Sequence, residues 1–90
     1  MSEEEQTRRW KLKLLLDESY EWPCEYLFKF IVPMDQLPHI IVILNGFSIE
    51  EKPSTGGKYI SVSAKKVLHS SDEVLRVYES VKVIKGIISL

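Results

Sequence analysis

The chain has 90 residues, of which 44% are apolar and 28% charged, and 12 Lys and Arg against 13 Asp and Glu give a net charge of −1. This length allows one modest core and excludes a second one, and the charge balance gives no broad field to attract nucleic acid or an anionic membrane. The longest apolar run, Ile40–Leu44, is too short to span a bilayer. The acidic N-terminus, which has no apolar leader, and the single Cys24 predict a cytoplasmic protein without disulfides.

The chain opens with a predicted helix. Ser2 and Glu5 have the spacing of a capping box, and Leu and Trp residues follow at helical spacing, so we expect a helix over residues 3–19. The alternative is a loose acidic tail of which only the apolar part is docked. Pro23 lacks an N–H, so the helix cannot continue past it.

A strand and a second helix are predicted next. Aromatic and β-branched residues alternate with others over Cys24–Val32, which is typical of a strand with a buried face. Asp35 and Pro38 then have the positions of an N-cap and a first-turn proline. The run Ile40–Leu44 fits a strand by propensity and a helix by spacing, and Gly46, which can adopt the left-handed conformation after a helix, favours the helix.

Two strands joined by a glycine turn follow. Side chains alternate over Phe47–Lys52 and again over Lys58–Leu68. Gly56 and Gly57 lie between them and predict a two-residue turn, because positive φ carries no steric cost for glycine. We therefore expect a β-hairpin.

The C-terminal part of the chain predicts a helix and a last strand. Ser70 and Glu73 form a second capping box, and apolar residues from Val74 to Val81 form a helical stripe. Val83–Leu90 is predicted to be a strand in which Gly86 marks a bulge or a close backbone approach.

The order helix, then β-α-β-β-α-β, predicts an α+β ferredoxin-like sandwich with an antiparallel sheet of order 4-1-3-2. Residues 1–21 form its N-terminal helical extension and residues 22–90 the ferredoxin-like domain. Six side chains are expected to face the two helices: Phe28, Phe30, Val32, Ile60, Val62 and Ala64. Six others are expected to line the opposite face: Leu27, Lys29, Ile31, Tyr59, Ser61 and Ser63.

The sequence predicts no catalytic residue, no metal site and no cofactor. Cys24 has only His39 and His69 as candidate bases, and neither lies in a pattern that would orient it. These three side chains have no paired metal-ligand spacing. Glu50 and Glu51 are neighbours in a strand, so they point to opposite faces and cannot work as a pair.

Nucleic-acid binding is the alternative function, and it is disfavoured. RNA-recognition domains share this topology and use outward aromatic residues on the two central strands. Tyr59 is such a residue, but Ser61 and Ser63 replace the further aromatics. The turn before Tyr59 is a poor phosphate loop, since a strand rather than a helix follows Lys58.

Three segments carry a resemblance to a known family: WPCEYLFKFIV at residues 22–32, GGKYISVSA at residues 56–64 and SSDEVLRVYESVKVIKGIISL at residues 70–90. From about Leu12 to Leu90 the chain resembles the YbeD-like family, a bacterial domain family of unknown function. Its members are similar to ACT domains in architecture. The resemblance implies a ferredoxin-like fold, a helix at Pro38–Leu44 and a regulatory or ligand-sensing module, and it implies no reaction.

A regulatory or adaptor module that binds a small ligand or a protein partner is therefore the expected function. The predicted ligand-binding residues are Lys29, Asp35, Tyr59, Ser61 and Ser63. Asp35 is included because ACT domains have an acidic residue in the corresponding loop, although that loop lacks the usual glycine here. Self-association as a homodimer is also expected, because Leu27, Ile31 and Ile87 on the sheet are predicted to be uncovered and Val42 and Ile43 on the helix to be partly exposed.

Overall fold

The computed structural model of the chain describes residues 2–90 and contains one sheet and three α-helices. The elements, in chain order, are α1 Glu3–Ser19, β1 Cys24–Pro33, α2 Leu37–Ile43, β2 Ser48–Pro53, β3 Tyr59–Leu68, α3 Ser71–Val81 and β4 Ile88–Ser89.

The four strands form one antiparallel sheet of order β2-β3-β1-β4, which confirms the predicted ferredoxin-like topology. The two long strands β1 and β3 pair along their whole length, from Cys24 opposite Leu68 to Pro33 opposite Tyr59. They occupy the centre because their alternating side chains can be buried on one face.

The core lies between this sheet and the helices. All six side chains predicted to face the helices are buried, and Phe30, Val32, Val62 and Ala64 are fully inaccessible. The other buried side chains are Leu16 from α1, Ile40 and Leu44 from α2 and its C-cap, Leu68 from the end of β3, Ser71, Val74, Leu75 and Val81 from α3, and Ile84 from the following turn. The predicted assignment of the two sheet faces is confirmed.

The helix predicted over the ambiguous apolar run is present as α2, but its start differs from the prediction. Residues Met34–Gln36 form a 3-10 turn, so Asp35 lies inside helical backbone and makes no capping hydrogen bond. An N-cap residue needs extended backbone, which Asp35 does not have. Pro38 is in the first turn and Gly46 has a φ of +90°, both as predicted.

The predicted hairpin joins β2 and β3, but its turn is longer than two residues. The Ser54 N–H donates to the Tyr59 carbonyl at 2.9 Å, and the Gly57 N–H donates back to the Ser54 carbonyl at 3.0 Å. Five residues, Ser54–Lys58, therefore separate the two strands. Only Gly57 of the two glycines has positive φ, at +72°.

The last strand is much shorter than the predicted Val83–Leu90. The chain turns after α3, and only Ile88 and Ser89 form ladder pairs, with Ile31 and Phe30. Gly86 has a φ of +77°, and a Cβ there would lie 2.9 Å from Pro33 Cγ, so the predicted close approach is confirmed. Ile87 packs against the core and Ile88 is exposed, so the prediction of an uncovered Ile87 is wrong by one residue.

Helix α1 has the predicted bounds and packs against α3. It therefore leaves the opposite face of the sheet uncovered. Arg9 Nη1 lies 3.2 Å from Glu79 Oε1, and Lys13 Nζ lies 3.3 Å from Asp72 Oδ1. Leu16 is the one buried side chain of α1. The other apolar side chains of this helix are exposed: Trp10, Leu12, Leu14 and Leu15.

A polar cluster fixes the end of α1 against the start of α3. Lys13 Nζ donates to Ser71 Oγ at 3.0 Å, and Trp22 Nε1 donates to Asp17 Oδ1 at 2.9 Å. The Ser71 oxygen accepts the hydrogen bond from Lys13, so the Ser71 hydroxyl can donate its proton to the Asp17 carboxylate. Hydrogen bonds from Ser71 and Trp22 hold the pKa of the Asp17 carboxyl below its usual 3.8.

No helix within residues 2–90 is both long and apolar enough to cross a membrane.

Candidate functional site

The candidate site is the face of the sheet that points away from the helices, which we call the outward face. Strand register places its side chains in three rows that cross β2, β3 and β1 in that order. The first row is Ser48, Lys65 and Leu27, the second is Glu50, Ser63 and Lys29, and the third is Lys52, Ser61 and Ile31. In the second and third rows a small serine of β3 therefore lies between longer side chains on both sides.

Two adjoining depressions follow these rows. One has a volume of about 330 Å³ and the other about 390 Å³, and both are lined by Lys29, Glu50 and Ser63. The first also reaches Lys65, and the second reaches Ser61. The depressions exist because a serine side chain fills far less space than the lysines and the glutamate that flank it.

The middle row holds two opposite charges apart. Lys29 and Glu50 lie on the strands that flank Ser63, so about two strand spacings, roughly 9–10 Å, separate their backbones. The two side chains form no ion pair, since the ion pairs found in residues 2–90 do not include either of them. The serine hydroxyl between them can donate one hydrogen bond and accept others.

The outward face carries more positive than negative charge. Lys29 and Lys52 have no carboxylate within 4 Å in the described part of the chain, and Lys65 lies 3.8 Å from Glu25. Two ammonium groups are thus left for an anionic group that approaches the serines.

Three of the five predicted ligand-binding residues, Lys29, Ser61 and Ser63, lie together in the depressions. Tyr59 lies further along β3, 45% exposed, beside a third depression that it shares with Ser61. Asp35 lies in the 3-10 turn beyond the end of β1 and lines none of these depressions. The structure therefore does not bring Asp35 to the other four residues.

Sequence reasoning missed the charged residues that complete the depressions, which are Glu50, Glu51, Lys52 and Lys65. The alternation within β2 already places Glu50 and Lys52 on one face. Which residue of β3 lies beside each of them depends on register, which the short β2 sequence does not specify.

Among the described residues, no three His, Cys, Asp or Glu side chains converge as a metal site. Glu50 lies opposite Ser63 and Glu51 opposite buried Val62, so the two side chains leave β2 on opposite faces, and Glu51 on this edge strand also borders the second depression. Cys24 is half-buried and begins β1 on the helix side of the sheet.

The aromatic residues on the helix side of the sheet are structural. Tyr26 and Phe28 have ring centroids 4.8 Å apart, and Tyr78 lies 5.3 Å from Phe28. Burial and a hydrogen bond with Tyr78 raise the pKa of the Tyr26 hydroxyl above its usual 10.0, so this group stays neutral.

Comparison with known proteins identifies a family but no function. Neither a curated protein nor a solved structure matches the chain. A family model described as "Protein of unknown function (DUF493)", which is the YbeD family, matches residues 17–90. This match covers every strand as well as α2 and α3, and it leaves most of α1 outside. The chain belongs to this family.

Proposed function

We propose that the domain works by binding, as a regulatory or adaptor module, and that the outward face is its ligand-binding surface. The observation that carries the proposal is the middle row, in which Lys29 and Glu50 are held apart on either side of Ser63. Unpaired charges over a depression provide selective contacts that a flat, fully paired surface does not.

The ligand that fits this row is a small molecule with a carboxylate and an amino group, such as an amino acid. Its carboxylate would contact the Lys29 ammonium, its amino group would contact Glu50, and the hydroxyls of Ser61 and Ser63 would bond to its polar atoms. A peptide segment of a protein partner with the same groups is bound in the same way. The similarity in architecture to ACT domains supports this regulatory role.

The proposal includes a non-enzymatic role. A nucleophile or general base needs a second group within hydrogen-bond reach that activates or orients it. The Cys24 thiol lies on the helix side of β1, away from the lysines and serines of the outward face. We also infer that the protein acts in the bacterial cytoplasm, which the single free thiol supports.

Self-association is the second part of the proposal. Several apolar side chains are at least half exposed, with Val42 at 74% and Leu27 at 50%. Exposed apolar side chains of this kind support an interface.

The test is an NMR titration of the isotope-labelled chain with each of the twenty amino acids and with lipoate. We expect at least one compound to shift the amide resonances of Lys29, Ser61 and Ser63, and the Lys29→Gln variant to lose that response. Lys85→Gln removes an exposed lysine elsewhere and is the matched control. A response that persists in Lys29→Gln, or shifts confined to other residues, contradicts the proposal.

RNA binding through the same face is distinguished by its salt dependence. Lys29, Lys52 and Lys65 would contact phosphates, and Tyr59 would stack on a base. Retention on single-stranded RNA that falls steeply with salt and is lost in a Tyr59→Ala variant favours RNA, whereas amino-acid binding without such retention favours the regulatory module.

A further inference from the structure

Part of the sheet's central strand β1 has a free edge. On one side β1 pairs with β3 over Cys24–Pro33, but on the other side β4 pairs only with Phe30 and Ile31. Leu90 extends this contact by donating its N–H to the Lys29 carbonyl at 2.9 Å. The segment Cys24–Phe28, which we call the free segment, has no neighbouring strand on that side in the described part of the chain.

The direction of the backbone groups shows which of them are unpaired. In an antiparallel strand, the N–H and C=O of one residue point to the same side and alternate from residue to residue. The Lys29 carbonyl points to the β4 side, so the backbone groups of Leu27 and Glu25 point there as well. No strand pairs with Leu27 or Glu25 on that side, and within residues 2–90 no other group accepts a hydrogen bond from their N–H groups.

The opposite edge of the sheet is protected, and the free segment is not. Strand β2 presents Ile49, Glu51 and Pro53 to that edge, and Pro53 has no N–H to donate. Charged residues and proline on an edge strand prevent a further strand from adding. The free segment contains no proline, and Tyr26, Leu27 and Phe28 are apolar. It therefore has the composition of a strand that accepts a neighbour.

We propose that two copies of this chain pair antiparallel along their free segments and join two sheets into one continuous sheet. Glu25 of each copy lies opposite Leu27 of the second copy, and Tyr26 lies on the two-fold axis. Glu25 of each copy donates its N–H to the Leu27 carbonyl of the other copy and accepts from the Leu27 N–H in return. These hydrogen bonds satisfy the backbone groups that are unpaired in a single chain. This register ends at Cys24 opposite Phe28, so the Leu90–Lys29 bond stays intact.

Charge complementarity identifies the occupant as a second copy. Along the outward face, β1 presents Glu25, Leu27 and Lys29 in that order. An antiparallel second copy places its Lys29 on one diagonal from Glu25, within reach of two long side chains, and symmetry repeats this pair. The other diagonal brings the two Glu25 side chains towards each other, and Lys65 of each chain, 3.8 Å from its own Glu25, offsets this repulsion. Lys29 has no ion-pair partner in its own chain within the described residues. The inference rests on the self-association part of the proposed function and needs no ligand. Because a ligand on the outward face would use the same Lys29 ammonium, the tests are made on the ligand-free chain.

Hydrogen exchange across a range of protein concentrations, combined with sedimentation, tests the proposal. We expect the Glu25 and Leu27 amides to become protected as the chain dimerises. The Phe28 and Phe30 amides point to β3 and serve as internal controls that stay protected at every concentration. Rapid exchange of Glu25 and Leu27 at all concentrations overturns the proposal, and so does a dimer that leaves these two amides unprotected.

A charge exchange tests the register. Glu25→Lys places like charges on the diagonal and should weaken dimerisation about tenfold, while the double variant Glu25→Lys with Lys29→Glu should restore it. The Glu25 contact with Lys65 is exposed and worth little, so its loss does not unfold the chain. Dimerisation that is unchanged in Glu25→Lys, or not restored in the double variant, contradicts this register.

Discussion

Replacing Phe28 with alanine is expected to remove a large share of the domain's stability. Phe28 is 1% exposed, and its ring lies 4.8 Å from the Tyr26 ring, 5.3 Å from the Tyr78 ring and 5.9 Å from the Phe47 ring, centroid to centroid. Truncation of a buried phenylalanine lowers the free energy of unfolding by about 3–5 kcal/mol. Because this variant also loses three aromatic contacts, we expect a value in the upper part of that range. A domain of this size has roughly 5–13 kcal/mol in total.

Urea unfolding followed by circular dichroism measures the effect. With a slope of about 1.5 kcal/mol per molar urea, the midpoint should fall by roughly 2–3 M. Leu27→Ala is the matched control, because Leu27 is the preceding residue, points to the outward face and is 50% exposed. At a protein concentration too low for pairing, it should cost less than about 1 kcal/mol. Equal losses in the two variants would refute the assignment of the two faces.

Three further predictions concern the helices and the turn before β4. Ser70→Ala removes the side chain that caps α3 and should lower the free energy of unfolding by about 1 kcal/mol, as measured in urea. Gly86→Ala forces a side chain into left-handed backbone and towards Pro33 Cγ, and it should cost about 1–2 kcal/mol or more, whereas an unchanged melting temperature would contradict the geometry. The folded pKa of Asp17 is below 3.8, so the unfolded chain binds the proton first and α1 docking should weaken as the pH falls through and below that value. The indole N–H resonance bonded to this carboxyl should move on acidification, and a position that stays constant down to pH 2 would contradict the contact.

The sheet was predictable because its main signal is local. Period-two alternation in Cys24–Val32 and Lys58–Leu68 determines which side chains are buried, and the order of elements then determines the topology. The same reasoning placed Lys29, Ser61 and Ser63 on one face, and the structure brings these three together.

The rest of the site depended on contacts distant in sequence. Glu50, Glu51, Lys52 and Lys65 complete the depressions only because β2 pairs with β3 in one register, and a short hairpin strand does not specify that register by itself. Asp35 was assigned from its residue type and from the ACT comparison. Its 3-10 backbone neither caps α2 nor brings it to the depressions.

The two ends of the chain were the least predictable. The β-branched residues of Val83–Leu90 favoured a strand, but tertiary contacts leave only Ile88–Ser89 paired and bury Ile87 instead. The bounds of helix α1 agree with the prediction. Its apolar residues are spread around the helix axis, so the sequence does not indicate which side chain is buried.

The central claim is that β1 and β3 pair in the register that places Lys29 beside Ser63 on the outward face. These two residues form a non-hydrogen-bonded pair, in which the Cα atoms lie about 4.5 Å apart and a disulfide can close. In a Cys24→Ser background, oxidation of the Lys29→Cys, Ser63→Cys variant should form an intramolecular disulfide, whereas Lys29→Cys with Lys65→Cys should remain reduced. A disulfide in the second variant and none in the first would contradict the register and the site built on it.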